Sequence, residues 1–173
     1  MILKILEHPD TFLRQESHPI EEVKPGTQKL MDDMLETMYD APGIGLAAIQ
    51  IGVPKRIIVL DISKNPEKKE PMYFVNPEKV YTSKDQATYE EGCLSVSGQF
   101  AEIDRPDKCH IKYLDYNGDS KELKANGLLA TCIQHEIDHL EGILFIDYLS
   151  KLKKSMIIKK LSKKKKNVER IVV

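Results

Sequence analysis

Residues 126–142 have the sequence NGLLATCIQHEIDHLEG, and this stretch decides how the rest of the chain is interpreted. Asn126 is a residue type favoured at helix N-caps, and Gly142 is typical of the position just beyond a helix end. The residues between them predict an α-helix with apolar residues on one side and His135 and His139 on another. We therefore expect this helix to be buried in the centre of the fold.

Residues 135–139 form an H-E-x-x-H motif. Four residues along an α-helix make about one turn, so the imidazoles of His135 and His139 project from nearly the same face. This separation suits two ligands of one metal ion. Glu136, beside His135, can act as a general base without binding the ion. Two core histidines next to a surface glutamate would be the non-functional interpretation, and the combined pattern disfavours it.

A catalytic site of this kind needs a third ligand. Phe145 stands where one group of proteases has its third histidine, and the only acids after Glu141 are Asp147 and Glu169. The ligand is therefore expected upstream. Cys93 is favoured, because it follows a glycine at the end of a predicted strand and a thiolate suits zinc or ferrous iron. The other candidates are His8, His18, Cys109, His110 and Cys132.

The remaining sequence predicts an α+β fold, with antiparallel β-sheets packed around the central helix and a further helix at the C-terminus. An Asn117-Gly118 pair between two strand-like segments is a strong hairpin signal. The predicted elements are helices at 27–39 and 149–166 and strands at 56–60, 72–75, 79–90, 108–115 and 119–125.

The length of 173 residues, with 41% hydrophobic and 31% charged residues, indicates one soluble globular domain over residues 1–173. Its charge is asymmetric. Residues 151–173 carry ten basic residues and one acid, a net charge of +9, and the other 150 residues have a net charge of −10. We interpret 149–173 as a basic helix and tail, either simply solvated or in contact with an anionic partner. The side chains expected to face the body are Leu149, Leu152, Met156 and Leu161.

The expected location is the cytoplasm. No apolar run approaches the roughly 18 residues that cross a bilayer, so no membrane partner is expected. Lys4, Glu7 and Asp10 interrupt any apolar stretch of the signal-peptide kind. The odd number of cysteines argues against a disulfide framework and favours reduced thiols.

Three segments resemble the signature motifs of the peptide deformylases. They are residues 43–50 (GIGLAAIQ), 91–95 (EGCLS) and 134–142 (QHEIDHLEG). Their order and separations fit the family, and the similarity extends through nearly the whole chain. One departure is Ser97, where the family usually has proline, in a loop that edges the substrate cleft.

The resemblance implies a metal-dependent hydrolase that removes the N-formyl group from the N-terminal formylmethionine of newly synthesised polypeptides and releases formate. It implies Glu136 as the base, with the Gln50 amide and the backbone N–H of Leu94 on the oxyanion. The implied metal ligands are Cys93, His135 and His139. The implied substrate-binding residues are Ile44, Gly45, Gly92, Leu128 and Cys132.

The resemblance also implies one divalent metal ion per chain, with Fe(II) as the usual physiological ion and zinc, nickel or cobalt able to take its place. The implied partner is the nascent formyl-Met polypeptide, and no DNA is expected. Contact with the ribosome through the basic C-terminal helix is a further hypothesis.

Two other interpretations stay open at this point. One is an endopeptidase of the H-E-x-x-H type, which the missing downstream ligand disfavours. The other is a module without enzymatic activity, which binds RNA through its lysine tail. In that case the zinc site would be closed and structural, with Cys109, His110 or Cys132 as fourth ligand.

Overall fold

The computed structural model describes the backbone of residues 1–172 and the side chains of residues 1–162. The helices of this part are α1 Pro25–Asp40, α2 Gly127–Leu140 and α3 Lys151–Val172, with short 3-10 helices at Thr11–Arg14, Ala48–Ile51 and Phe145–Tyr148. The strands are β1 Gly45–Ala47, β2 Ile57–Leu60, β3 Met72–Thr82, β4 Gln86–Cys93, β5 Val96–Pro106, β6 Lys108–Leu114 and β7 Ser120–Asn126.

The fold is α+β with antiparallel sheets, as the sequence predicts. One sheet has five strands in the order β1-β2-β3-β6-β7, and β4 pairs with β5 in a separate two-stranded sheet. The five-stranded sheet lies between two helices. On β2, Ile57 and Val59 pack in the cluster of α1, whereas Ile58 and Leu60 pack in the cluster of α2. Because strand side chains alternate between faces, this short apolar run covers both sides of the sheet.

Helix α1 confirms the amphipathic helix predicted at 27–39. Met31, Met34 and Met38 recur at helical spacing and are completely buried against the sheet. Pro25 is tolerated in the first turn, where a backbone N–H has no helical partner. This helix covers one face of the sheet. Helix α2, with the predicted site residues His135, Glu136 and His139, packs on the opposite face.

Helix α2 is buried along its length from Ala130 to Leu140. Asn126 occupies the N-cap position but makes no side-chain capping hydrogen bond. Gly142 ends the helix with a φ of +74°, and a Cβ at this position would lie 2.5 Å from the carbonyl oxygen of Arg14. Glycine is thus required both by the backbone conformation and by the close approach of the N-terminal segment.

The strand predictions were correct for β2, β6, β7 and the start of β3, and wrong for the separate two-stranded sheet of β4 and β5. The β6–β7 hairpin confirms the Asn117-Gly118 signal. The single strand predicted at 79–90 is instead the end of β3 and the start of β4, separated by a turn at 83–85. Strand β5 was not predicted, because its polar and apolar residues do not alternate with its two faces: Phe100 is exposed and Arg105 is buried.

The C-terminal helix exists, but its predicted buried face was partly wrong. Leu152 and Met156 are 72% and 51% exposed, whereas Ile157 is 8% exposed and packs with Leu149 and Leu161 onto the third apolar cluster. The helix is rotated so that Lys154 reaches Asp147, with which it forms a 2.8 Å ion pair. Within the described residues, no helix is long and apolar enough to cross a membrane. The side chains of 163–166 lie outside the described residues.

Candidate metal centre and active site

Three potential metal ligands converge at one point of the fold. Helix α2 presents His135 and His139 one turn apart, and the end of β4 presents Cys93. One ligand atom from each lies within 4.8 Å of the others, and Sγ of Cys93 is 3.4 Å from Nε2 of His139. Among residues 1–162, no other group of His, Cys, Asp and Glu side chains meets in this way.

A buried charged network orients one of these histidines. Nδ1 of His135 donates to Oε1 of Glu91 at 2.8 Å, which leaves Nε2 directed at the convergence point. Arg105 donates two hydrogen bonds to the Glu91 carboxylate and a third, from Nη1, to Asp138 at 2.8 Å. Tyr148 also donates to Asp138, at 2.7 Å. Such outer partners fix the tautomer and the ring orientation of a ligating histidine.

The network explains how the carboxylate of Glu91 can be buried in its charged form. Burial opposes the charged form of Glu91, but hydrogen bonds from His135 and Arg105 hold the pKa of Glu91 below its usual range. Sequence reasoning did not assign a role to Glu91, Arg105 or Asp138. Glu91 and Asp138 each lie inside a recognised motif, and only the fold shows that Arg105 joins them.

Glu136 lies beside the ligands with an unpaired carboxylate oxygen. Its Oε2 is buried and has no hydrogen-bond partner among the described residues. Burial raises the pKa of Glu136 to about 7, and the negative charges of Glu91 and Asp138 act in the same direction. A pKa near neutrality suits a group that must both take and return a proton.

His139 is completely buried, and its Nδ1 has no hydrogen-bond partner within the described structure. Burial lowers the pKa of His139 well below its usual value, and the nearby His135 adds to this effect. The imidazole is therefore neutral, which is the form that binds a metal ion.

The Gln50 side chain is held by hydrogen bonds on both ends. Oε1 accepts from the backbone N–H of Ala47 at 2.9 Å, and Nε2 donates to Oγ of Ser95 at 2.9 Å. The same nitrogen is 3.7 Å from Sγ of Cys93, so its second hydrogen is directed toward the candidate metal centre. Ser95, which holds the Gln50 amide, was not singled out from the sequence, although it belongs to the EGCLS segment.

Gly45 allows the sheet to approach the catalytic helix. A Cβ at this position would lie 2.7 Å from Oε1 of Glu136 and 2.7 Å from a methyl carbon of Leu60. Strand β1 is an edge strand of the five-stranded sheet, so its outer hydrogen-bonding edge is not paired with another described strand. This edge runs beside the cleft.

A cavity of about 460 Å³ opens next to these groups. Of the sequence-predicted site residues, only His139 is absent from its lining, because that side chain is completely buried behind it. The predicted residues that line the cavity are Ile44, Gly45, Gln50, Gly92, Cys93, Leu94, Leu128, Cys132, His135 and Glu136.

The alternative ligands lie elsewhere. Cys109 is completely buried in the apolar core on β6, and His110 packs its ring on Tyr81 at 4.7 Å between centroids. Cys132 lines the cavity but does not belong to the three-ligand group. One thiol and two imidazoles at this separation fit a borderline divalent ion such as zinc or ferrous iron.

Comparison with known proteins gives a consistent result. The sequence model of the family described as Polypeptide deformylase matches residues 2–155. A peptide deformylase of Pelagibacter ubique is 68% identical over 174 residues, with 99% of each chain covered. A peptide deformylase of Rhizobium meliloti is 56% identical over 155 residues, which cover 90% of this chain and 89% of the relative.

Solved structures show the same similarity. A crystal structure of peptide deformylase from Ehrlichia chaffeensis superposes with a TM-score of 0.92 at 43% identity, covering 96% of this chain and 98% of that one. A second crystal structure from that organism, in complex with actinonin, has a TM-score of 0.90 at 45% identity and covers 94% and 97% of the two chains.

Proposed function

The chain belongs to the peptide deformylase family, and from this membership we propose which of its residues carry out the reaction. It is a metal-dependent hydrolase that removes the N-formyl group from the N-terminal formylmethionine of newly synthesised polypeptides and releases formate. The single observation that supports our assignment is the convergence of Cys93, His135 and His139 beside the unpaired carboxylate of Glu136.

We propose that Cys93, His135 and His139 hold the divalent ion. When bound, the ion would polarise the formyl oxygen and lower the pKa of a water molecule. Glu136 takes the proton from the attacking water through Oε2, which has no competing hydrogen bond. It then delivers this proton to the nitrogen of the leaving peptide. The products are formate and a peptide with a free N-terminal methionine.

Two donors of the protein would stabilise the oxyanion of the tetrahedral intermediate. One is the second amide hydrogen of Gln50, whose orientation is fixed by Ala47 and Ser95. The other is the backbone N–H of Leu94, which follows Cys93 at the end of β4. A preorganised donor of this kind contributes on the order of 3 kcal/mol to the stability of the transition state.

We propose that the peptide binds in the cavity along the free edge of β1. An exposed strand edge offers backbone donors and acceptors to an extended peptide, and Gly45 of this strand lines the cavity. The methionine side chain would occupy the apolar end of the cavity, near Ile44, Leu128 and Cys132. Gly92, which also lines the cavity, would contribute backbone atoms of β4 to the peptide site.

We propose Fe(II) as the native ion and the cytoplasm, where nascent chains are made, as the location. Two imidazoles and a thiolate also suit zinc, nickel or cobalt, so the metal must be measured. The test of function is formate release from formyl-Met-Ala-Ser by anaerobically purified protein, with the bound metal quantified in the same sample. Metal-loaded protein that releases no formate would contradict the proposed function.

We further propose that the basic C-terminal helix contacts ribosomal RNA or protein. Lys159 and Lys160 are exposed, and the helix is anchored to the body by Ile157. The segment 151–173 has a net charge of +9, while the rest of the chain has a net charge of −10, so this helix is the part of the chain with a strong net attraction to a polyanion. Docking there would bring the active site near emerging substrate.

Ribosome co-sedimentation tests this proposal. We expect a full-length variant with glutamine at Lys159, Lys160 and the four lysines of 163–166 to lose pelleting at low salt. Binding of the unaltered protein should weaken steeply as salt rises, because it depends on counterion release. The control carries the same six changes at exposed body lysines and should pellet normally. Equal pelleting of both variants would contradict the proposal. The control positions are Lys4, Lys64, Lys79, Lys84, Lys121 and Lys124.

A further inference from the structure

Strand β5 contains a bulge next to the active site. In the β4–β5 pairing, Gly92 is opposite Phe100 and Cys93 is opposite Val96. Residues 97–99 therefore have no opposing residue on β4. Gly98, in the middle, has a φ of +72°, a conformation that glycine adopts readily. A bulge leaves its extra residues without ladder partners, so another contact must fix their position.

The bulge forms part of the rim of the cleft. Ser97, Gly98 and Phe100 all line the cavity that also contains Cys93. Phe100 is 63% exposed, and its ring packs on the backbone at Gly92, where a Cβ would lie 2.6 Å from the ring. A shift of the bulge would therefore move both the cleft rim and an aromatic side chain that faces the cavity.

The N-terminal segment supplies a contact that fixes the bulge at residues 97–99. Oγ of Ser97 donates a hydrogen bond to the carboxylate of Glu7. The residues on either side of Glu7 are tied to the active site by their backbones: the N–H of Leu6 donates to the carbonyl of Gln50 at 2.7 Å, and that of His8 donates to the carbonyl of Ser95 at 2.8 Å. Residues 6–8 thus connect the Gln50 side of the cleft to the bulge side.

We propose that Glu7 and Ser97 are positioning residues that set the affinity of the cleft for the peptide portion of the substrate. Glu7 does not line the cavity. It acts through Ser97, because a charged acceptor holds the hydroxyl, and with it the bulge, in one conformation before the peptide arrives. This inference rests on the proposed peptide cleft, and it adds two residues from outside the metal centre to the determinants of binding.

Kinetics of two alanine variants test the inference. Loss of one hydrogen bond that preorganises the rim should raise the KM for formyl-Met-Ala-Ser about three- to tenfold in both Ser97→Ala and Glu7→Ala. The kcat should stay within about twofold of the unaltered protein, because the metal centre and Glu136 are untouched. The double variant should be no worse than either single variant, since both remove the same contact.

Two variants separate this role from a merely structural one. Glu7→Gln keeps a neutral acceptor for the Ser97 hydroxyl, so its KM should lie between those of the unaltered protein and Glu7→Ala. Thr88→Val removes a hydroxyl-to-carboxylate bond of the same kind, from Thr88 to Asp104, on the same hairpin but away from the cavity. Its KM should be unchanged. Amide hydrogen exchange at residues 97–99 should be faster in Ser97→Ala and Glu7→Ala and unchanged in Thr88→Val.

The inference would be overturned by a KM for Ser97→Ala equal to that of the unaltered protein, by multiplicative effects in the double variant, or by the same rise in Thr88→Val. Failure of the unaltered protein to release formate would instead contradict the proposed function. The two failures are thus distinguishable in one set of assays.

Discussion

Glu136→Gln is expected to lower the kcat/KM for formate release by about three to four orders of magnitude while leaving the fold and the bound metal intact. Glutamine has nearly the same size as glutamate, so the close packing of this side chain against Gly45 is preserved. It cannot take a proton from water or deliver one to the leaving nitrogen. The loss therefore reports the acid–base role alone.

The measurement is formate release from a formyl-Met peptide, together with metal content and thermal unfolding of the same preparation. Gln50→Ala is the matched comparison, because it also removes a group from the cleft without removing a ligand. Its expected cost is smaller, about 10²–10³-fold, since other groups still stabilise the oxyanion. Activity of Glu136→Gln within about tenfold of the unaltered protein would mean that another group is the base.

The parts of the fold that the sequence predicted are those with strong local periodicity. Helix α1 has buried methionines at helical spacing, and the β6–β7 hairpin has an Asn-Gly turn signal between its strands. Strand β5 lacks such a pattern because Phe100 is exposed and Arg105 is buried, so residue polarity does not follow the two faces of the strand. The face that α3 buries is the one that carries Ile157 onto the third apolar cluster, and apolar spacing within the helix alone could not reveal it.

The candidate site likewise contains residues that the sequence could predict and contacts that only the fold reveals. The two histidines of α2 could be placed from their spacing, and Cys93 from the chemistry that such a pair needs. The contacts among Glu91, Arg105 and Asp138 bring together residues from β4, β5 and α2. Nothing local in the sequence indicates that these particular charges meet, because ion pairing between distant segments is a property of the folded chain.

Family membership and the geometry of the ligand group together decide between the functions that the sequence left open. An endopeptidase would need a third ligand downstream of the helix, and the described structure groups the two histidines with a cysteine from upstream. A closed structural zinc site would need a fourth protein ligand. Cys109 and His110 are not part of the ligand group, and the convergence point opens to a cavity instead.

Replacing Cys93, His135 or His139 with alanine is expected to abolish stoichiometric metal binding. Each change removes one of three donors that lie within 4.8 Å of one another, and the remaining two cannot hold a divalent ion against dilution and washing. Cys109→Ala is the matched control. It removes a thiol that is completely buried in the core, so it should cost some stability but keep a full equivalent of metal.

Metal analysis of the four variants, with circular dichroism to verify folding, tests the assignment. A folded Cys93→Ala protein that retains a full equivalent would show that the thiolate is not a ligand. The Glu136 variant and the ligand variants are more informative when their activity and metal content are compared. Glu136→Gln should lose turnover and keep the metal, whereas the ligand variants should lose both, because in the proposed mechanism Glu136 moves protons beside an ion held by the other three side chains.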